Sequence, residues 1–312
     1  MDKRVRGFRS SISAMMGEEN PRQLLDFDNY LLRVIEGLGP VEPQTLSERV
    51  GDAIREWSES QREDLYGLSP EELRDSLIKL EDLSFRDGVR VALEDPHVMK
   101  SMFVLLKSGN IDYRKGAIFT LEEIAKRDIR AVDRDLLHDI VTGPFTQEER
   151  IMLIENSTEF GRVLGRMILE DETRDAGDRF IRELSTSGED TQLRLALKAF
   201  THLSKVAPER VQVPLVVEGL GSGNDFNRET AARVIQNLAK NAPQKVTSDV
   251  LVRMAADTTW SVRQVTSNAI ANLWRHDREA AENVLVQLES SGNDEQKKVA
   301  EGARKIIDKK RR

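Results

Sequence analysis

One pattern, written twice at a fixed offset, constrains this chain more than any other feature of it. Asp225-Phe-Asn-Arg228 opens a stretch carrying Ala231, Ile235 and Leu238, and 35 positions after Arg228 an arginine at 263 opens another carrying Thr266, Ile270 and Leu273. The i, i+4, i+7 spacing puts each triplet on one face of a helix. The connectors repeat at the same offset of 35, Lys205-Val-Ala-Pro208-Glu-Arg-Val211 against Lys240-Asn-Ala-Pro243-Gln-Lys-Val246. Proline in such a connector stops the long helix and can begin the next short one. Self-similarity at this period signals a solenoid, in which each unit buries its apolar face only against its neighbours.

Aligned on the helix-opening position, the pattern reaches further back. Arg114 is followed by Ala117, Leu121 and Ile124, and Leu193 by Ala196, Phe200 and Leu203. Between them 79 positions leave room for one more unit, over Asp133 to Glu170. That unit is irregular, with Leu136, Leu137 and Ile140, then Ile151, Leu153 and Ile154, then Phe160, Val163, Leu164 and Met167. A last unit, Val284 to Ile307, carries Val299, Ala303 and Ile306 with no apolar residue after it, as an end cap would. The reading is an all-α chain, an α-solenoid of antiparallel helix pairs with an N-terminal helical region. Its divisions are 1–91 as cap or separate module, 92–307 as an array of about five to six units, and 308–312 as a basic tail.

Residues 1–91 read as helical without the repeat. A broad apolar face follows Pro21, a stripe of Leu46, Val50, Ile54 and Trp57 comes next, and Ser69-Pro-Glu-Glu72 forms a capping box ahead of Leu73, Leu77 and Leu80. The composition agrees with helices, since 39% hydrophobic and 32% charged residues with only 5% aromatic ones disfavour a β-sandwich. No apolar run approaches the roughly 18–20 residues of a membrane span. The N-terminus has no apolar stretch after its first charges, so it does not read as a secretory signal. There is no cysteine, which fits a reducing compartment, and the expected location is the cytoplasm.

The units resemble HEAT repeats, the antiparallel helix pairs of importins, condensin subunits and phosphatase scaffolds. The resemblance rests on the paired helices, the proline-bearing turn, and an acid-then-arginine signature: Asp112 with Arg114, Asp225 with Arg228, and Asp257 with Arg263. It covers roughly residues 94–307. It implies structural hydrogen bonds within and between repeats for these six residues rather than ligand contacts. The chain departs from the pattern at Leu193, which stands where arginine is expected, and at Thr266, where other units have alanine.

Catalytic constellations do not stand out. His97, His138, His202 and His276 are isolated, with no zinc-binding spacing, and no cofactor or metal site is expected. Gly219-Leu-Gly-Ser-Gly223 follows a short apolar helix and lacks the lysine ending of a phosphate loop, so it reads as a turn.

Two basic features offer binding surfaces. Lys126, Lys205, Lys240 and Arg275 each stand two residues after the last core Ile or Leu of a long helix, and stacking would align them as a column. A cation in the last turn is also favoured by the helix dipole wherever it occurs. Lys198 and Arg233 begin a second row, broken by Asn268 and interleaved with acids such as Glu229. Residues 297–312 carry +6 against −13 for 1–296, enough to contact nucleic acid or an acidic partner through charge alone.

The leading functional reading is a non-enzymatic scaffold binding a protein partner, of unidentified kind, along the concave face of the array. The alternative is a nucleic-acid-associated protein using the basic column and tail. HEAT-like DNA glycosylases exist, and Trp260 with Asp257 and Arg263 resembles the aromatic, acidic and basic residues of their concave face, although Trp260 reads equally as core. The acidic body, −7 in total, weighs against nucleic acid. A third reading, an accessory subunit of a larger enzyme, has no motif behind it.

Overall fold

The computed structural model describes the chain from residue 51 onward, apart from 53, 54, 57, 62–64, 82–84, 108–110, 144, 171 and 312. The apolar stretches expected before residue 51 lie outside the described residues, as do Ile54 and Trp57 of the following stripe and the side chains of Leu80 and Asp112. The described residues form fifteen α-helices and no strand. By packing, the chain divides into two compact units, Met1–Met152 and Leu153–Arg312. That division reflects compactness, whereas the boundary at residue 91 reflects where the repeat pattern begins.

In the first unit, α1 (Pro70–Glu81), α2 (Phe85–Glu94), α3 (Pro96–Leu106), α4 (Ile111–Arg127) and α5 (Arg134–Thr142) gather around α3. That helix buries Val98, Met99, Met102, Phe103, Val104, Leu105 and Leu106, so it needs apolar cover on several sides. α1, α2, α4 and α5 supply it. The capping box at α1 is formed in both directions: Glu72 N donates to Ser69 Oγ (3.1 Å) and Ser69 N to Glu72 Oε2 (2.7 Å). Asp95 caps α3 through His97 N and takes a 2.7 Å bond from Lys79 Nζ, tying the end of α1 to the start of α3. α4 buries Ala117, Leu121 and Ile124, the triplet read from the repeat.

The segment read as one irregular unit contains three helices: α5, α6 (Gln147–Glu155) and α7 (Ser157–Leu169). Asn156 separates the last two with φ −104° and ψ 17°. α6 is only nine residues long, and Ile151 and Ile154 stand exposed on it while Met152 and Leu153 are buried.

The second unit is the repeat array. Its remaining helices are α8 (Arg174–Thr186), α9 (Asp190–Val206), α10 (Val213–Gly219), α11 (Asp225–Asn241), α12 (Ser248–Ala255), α13 (Trp260–Leu273), α14 (Arg278–Glu289) and α15 (Asp294–Arg311). Each long helix packs on the next long one, α7 on α9, α9 on α11, α11 on α13 and α13 on α15. The shorter helices form the other row, with α8 against α10 and α12 against α14. This is the two-row α-solenoid arrangement expected of antiparallel helix pairs.

The row closes because the repeated apolar positions meet. Ala196, Phe200 and Leu203 on α9, Ala231, Ile235 and Leu238 on α11, and Thr266, Ile270 and Leu273 on α13 are all buried. Thr266 is accommodated because its hydroxyl donates to Val262 O at 2.8 Å, satisfying the polar atom inside its own helix. Between α7 and α9 the approach is closer: a Cβ on Gly161 would lie 2.5 Å from Lys198 Cβ and 2.6 Å from its carbonyl carbon, so only glycine fits.

The connectors are congruent. Ala207 and Ala242 share φ −151° with ψ 67° and 64°, and the prolines after them open 3-10 turns, Pro208–Arg210 and Pro243–Lys245. This corrects the expectation that these prolines begin the short α-helices, which start only at Val213 and Ser248. Lys245 Nζ reaches back to Glu209 O (2.6 Å) and Val211 O (3.1 Å), bonding one connector to the previous one. At the other end the basic tail is helical through Arg311. Arg304 pairs with Glu282 and Glu289, Lys297 with Asp294, Lys298 with Glu295, and Lys305 with Glu301. Ile307 is buried in α15, and Ile306 is only partly so.

Candidate protein-binding face of the long-helix row

The acid-and-arginine signature is occupied with holding repeats together. Arg228 Nη1 donates to Ser222 O (2.9 Å) and Gly223 O (3.3 Å) in its own turn. Its Nε reaches Asp257 Oδ2 at 3.0 Å, and Nη2 reaches Thr259 Oγ1 and Asp225 Oδ1, both at 2.7 Å. Arg263 repeats the geometry one unit on, with Nη1 bonded to Asp257 O and Thr258 O at 2.8 Å and Nη2 2.8 Å from Glu295. The Gly219–Gly223 turn therefore supplies carbonyls to a guanidinium. Arg114 is buried near the start of α4. Asp257 and Arg263, two of the three residues compared with a glycosylase, are thus committed to the scaffold. Trp260 is not core, since 66% of its surface is exposed.

The basic positions fall into two groups. Lys205, Lys240 and Arg275 stand exposed at or just past the C-terminal ends of consecutively packed α9, α11 and α13. Lys126 belongs to the first unit, where its Nζ pairs with Glu122 (2.9 Å) and with Glu123. Lys198 and Arg233 lie nearer the middle of α9 and α11, and they join a cluster that the repeat pattern did not reveal.

That cluster is built around Phe226. Asn224 caps α11 by accepting from Phe226 N (3.0 Å) and Asn227 N (3.4 Å), which fixes the first turn and leaves the Phe226 ring 43% exposed. From α9, the Arg194 guanidinium carbon sits 3.9 Å from the ring centroid and Lys198 Nζ 5.1 Å from it, so both are cation–π partners. Next to them Arg233 Nη2 bonds Glu229 Oε1 at 2.6 Å, and Ser261 of α13 donates to Glu229 Oε2 at 2.8 Å. Through Ser261, α13 joins α9 and α11 in this face.

The electrostatics mark this face as costly. Burial pulls the Lys198 ammonium below its usual pKa, and the charges of Arg194 and Arg233 pull it the same way. Burial also lowers Arg194. The bonds from Arg233 and Ser261 hold Glu229 below the usual carboxylate value. Arg228, Arg233, Arg263 and Arg304 all have carboxylate partners. Arg194 and Lys198 have no partner within ion-pair distance among the described residues, although the charge of Asp190 acts on Arg194 and those of Glu159 and Glu229 on Lys198. Sequence could have flagged Phe226, which stands five positions ahead of Ala231 and off the apolar stripe, and Arg194, which directly follows the anomalous Leu193.

No protein-family model matches the chain, and no curated protein matches it. Similar solved structures include an archaeal HEAT-like repeats protein from Thermococcus onnurineus NA1, at 14% identity and TM-score 0.36, over 77% of this chain and 98% of that one. A designed armadillo repeat protein in complex with the peptide (KR)4 is similar at 16% identity and TM-score 0.41, over 66% and 98%. The karyopherin Kap121p, bound to the extreme C-terminus of the protein phosphatase Cdc14p, is similar at 14% identity and TM-score 0.44, over 98% of this chain and 37% of that one. All three are helical-repeat proteins. At these TM-scores they stand as likenesses, and the repeat architecture of this chain rests on its own helix packing. Among the described residues no helix is long and apolar enough to cross a membrane, and no group of three or more His, Asp or Glu is placed to hold a metal ion.

Proposed function

We propose that the protein is a non-enzymatic interaction scaffold that holds a protein partner along the exposed face of its long-helix row, centred on Arg194, Lys198, Phe226 and Trp260. One observation carries this reading. Two partly buried cations lie against an exposed aromatic ring with no carboxylate within ion-pair distance of either among the described residues, although the array supplies a paired carboxylate to its structural arginines. Asp190, Glu159 and Glu229 act on the two cations only from further off. Partly burying unpaired charge costs stability, and such a cost is retained where a surface has a use. Aromatic residues and Arg are enriched at protein interfaces, and Arg194 lies over the exposed Phe226 ring.

The test is affinity capture from the native host with the wild-type chain, an Arg194→Glu/Lys198→Glu variant and an Arg253→Glu variant on the short-helix row, each with and without nuclease. The reading expects defined proteins with wild type and Arg253→Glu, unchanged by nuclease and lost with the double substitution. Capture unaffected by the double substitution, or abolished by nuclease, overturns it.

A further inference from the structure

The chemistry of this face narrows what it takes. Arg194 and Lys198 stand one helical turn apart on α9 and bring two positive charges to one side of Phe226. Across the face, Glu229 already neutralises Arg233 and accepts from Ser261. Arg194 and Lys198 have no carboxylate within ion-pair distance among the described residues, while Asp190 acts on Arg194 and Glu159 and Glu229 act on Lys198 from further off. The two cations therefore form a local pair rather than a continuous track. Beside this pair lies the uncovered part of Phe226, 43% exposed, and Ser261 of the same face directly follows Trp260, 66% exposed, at the start of α13.

Resting on the scaffold reading above, we infer that the face around Phe226 binds a short acidic peptide segment of the partner, with carboxylates on Arg194 and Lys198 and an adjoining apolar side chain against Phe226 and Trp260. A carboxylate supplies the charge-assisted partner these cations lack, and Arg can take it in bidentate fashion. Burial of Lys198 beside Arg194 and Arg233 adds to the drive, since an incoming anion relieves a mutual repulsion that Glu159 and Glu229 offset in part.

Single-stranded nucleic acid fits less well, for two reasons. Base-stacking platforms need free ring faces, and Arg194 lies 3.9 Å from the Phe226 centroid. Backbone phosphates need successive cations, and here Glu229 stands where the track would continue.

The test measures fluorescence anisotropy of the full chain with three labelled peptides of equal length, alternating Glu/Leu, Gln/Leu and Glu/Ser, and with oligo-deoxythymidine of matched charge. The expected result is that Glu/Leu binds about tenfold or more tighter than either other peptide and than the oligonucleotide. Arg194→Gln/Lys198→Gln should remove the preference for Glu over Gln, and Phe226→Ala/Trp260→Ala the preference for Leu over Ser. Circular dichroism of each variant confirms that the helices persist. Equal binding of Glu/Leu and Gln/Leu, no binding of either, or tighter binding of the oligonucleotide overturns the inference. Host proteins still captured through Arg194 and Lys198 in that case would leave the scaffold reading standing with a different ligand.

Discussion

Two neighbouring junctions of the long-helix row solve the same problem with different residues. Between α11 and α13 the guanidinium of Arg228 spans its own turn and the next, with Asp257 and Thr259 on the far side. Between α9 and α11 the equivalent position is Leu193, and the link runs the opposite way. Asn227 Nδ2 donates to Asp190 O and Oδ1, both at 3.1 Å, and Ser222 Oγ donates to Asp190 Oδ1 at 3.2 Å. The arginine of this unit is one residue on, at 194, and it lies over Phe226 instead of clamping a turn. A displacement of one residue around a helix is about 100°, enough to move a side chain from the junction to the open face. Where the scaffold gives up its structural arginine, the surface gains an uncommitted one.

The largest expected effect breaks the α11/α13 junction. Arg228→Ala removes six hydrogen bonds and leaves Asp257, whose side chain is only 10% exposed, without its cation, so unfolding free energy should fall by about 3–5 kcal/mol in urea titration. A loss under about 1 kcal/mol would show that this clamp is decorative.

Next comes the α9/α11 junction. Asn227→Ala removes a fully buried amide and leaves Asp190 short of donors, for an expected loss of about 1–2 kcal/mol in the same titration. The contrast between the two losses sharpens the claim that a charged clamp holds one junction and a neutral amide the other.

Rebuilding the missing clamp is a smaller effect of opposite sign. Leu193→Arg alone should be near neutral, because position 222, which corresponds to Asp257, is a serine. Combined with Ser222→Asp it should recover up to about 1 kcal/mol of coupling in a double-mutant cycle. It should also leave Arg194 and its contact with Phe226 in place.

The acid limb of stability reports on the α11/α13 face. Glu229 is held below its usual pKa first by Arg233 and then by Ser261. A carboxylate with a depressed folded pKa contributes stability that is complete above its unfolded value of 4.5 and is lost as pH falls through the folded one. Melting temperature should therefore decline below about pH 4.5, and Glu229→Gln should make that decline shallower. An identical acid limb in wild type and variant would contradict the assignment.

The smallest effect on stability is expected at the binding face. Lys198→Met keeps the aliphatic stem against Gly161 and removes a charge that burial disfavours. The melting temperature should stay level or rise slightly while partner capture weakens. Paired loss of both would place Lys198 in the scaffold instead.

The contrast also explains what the sequence could disclose. Apolar triplets at a 35-residue period are redundant, each unit repeating the evidence of the last, so the helix pairs and buried faces were legible from 193 to 273. The capping box at Ser69–Glu72 is legible because its chemistry is local, and the one at Thr146–Glu149, formed the same way, carries the same local signal. The three-helix stretch over 134–169 was not legible, because the break at Asn156 has no proline or glycine to announce it. The binding face was half visible. Lys198 and Arg233 were picked out by spacing, but Arg194 and Phe226 join them only because α9 and α11 are adjacent, which no single-helix pattern states.

The most direct measurement places a photo-crosslinking amino acid at Trp260, which directly precedes Ser261 of the face, and separately at Val286, also exposed but on α14. The scaffold account expects a discrete adduct with a host protein from position 260, suppressed by Arg194→Glu/Lys198→Glu, and none from 286. Equal adducts at both positions, or one at 260 that survives the double substitution, would contradict it.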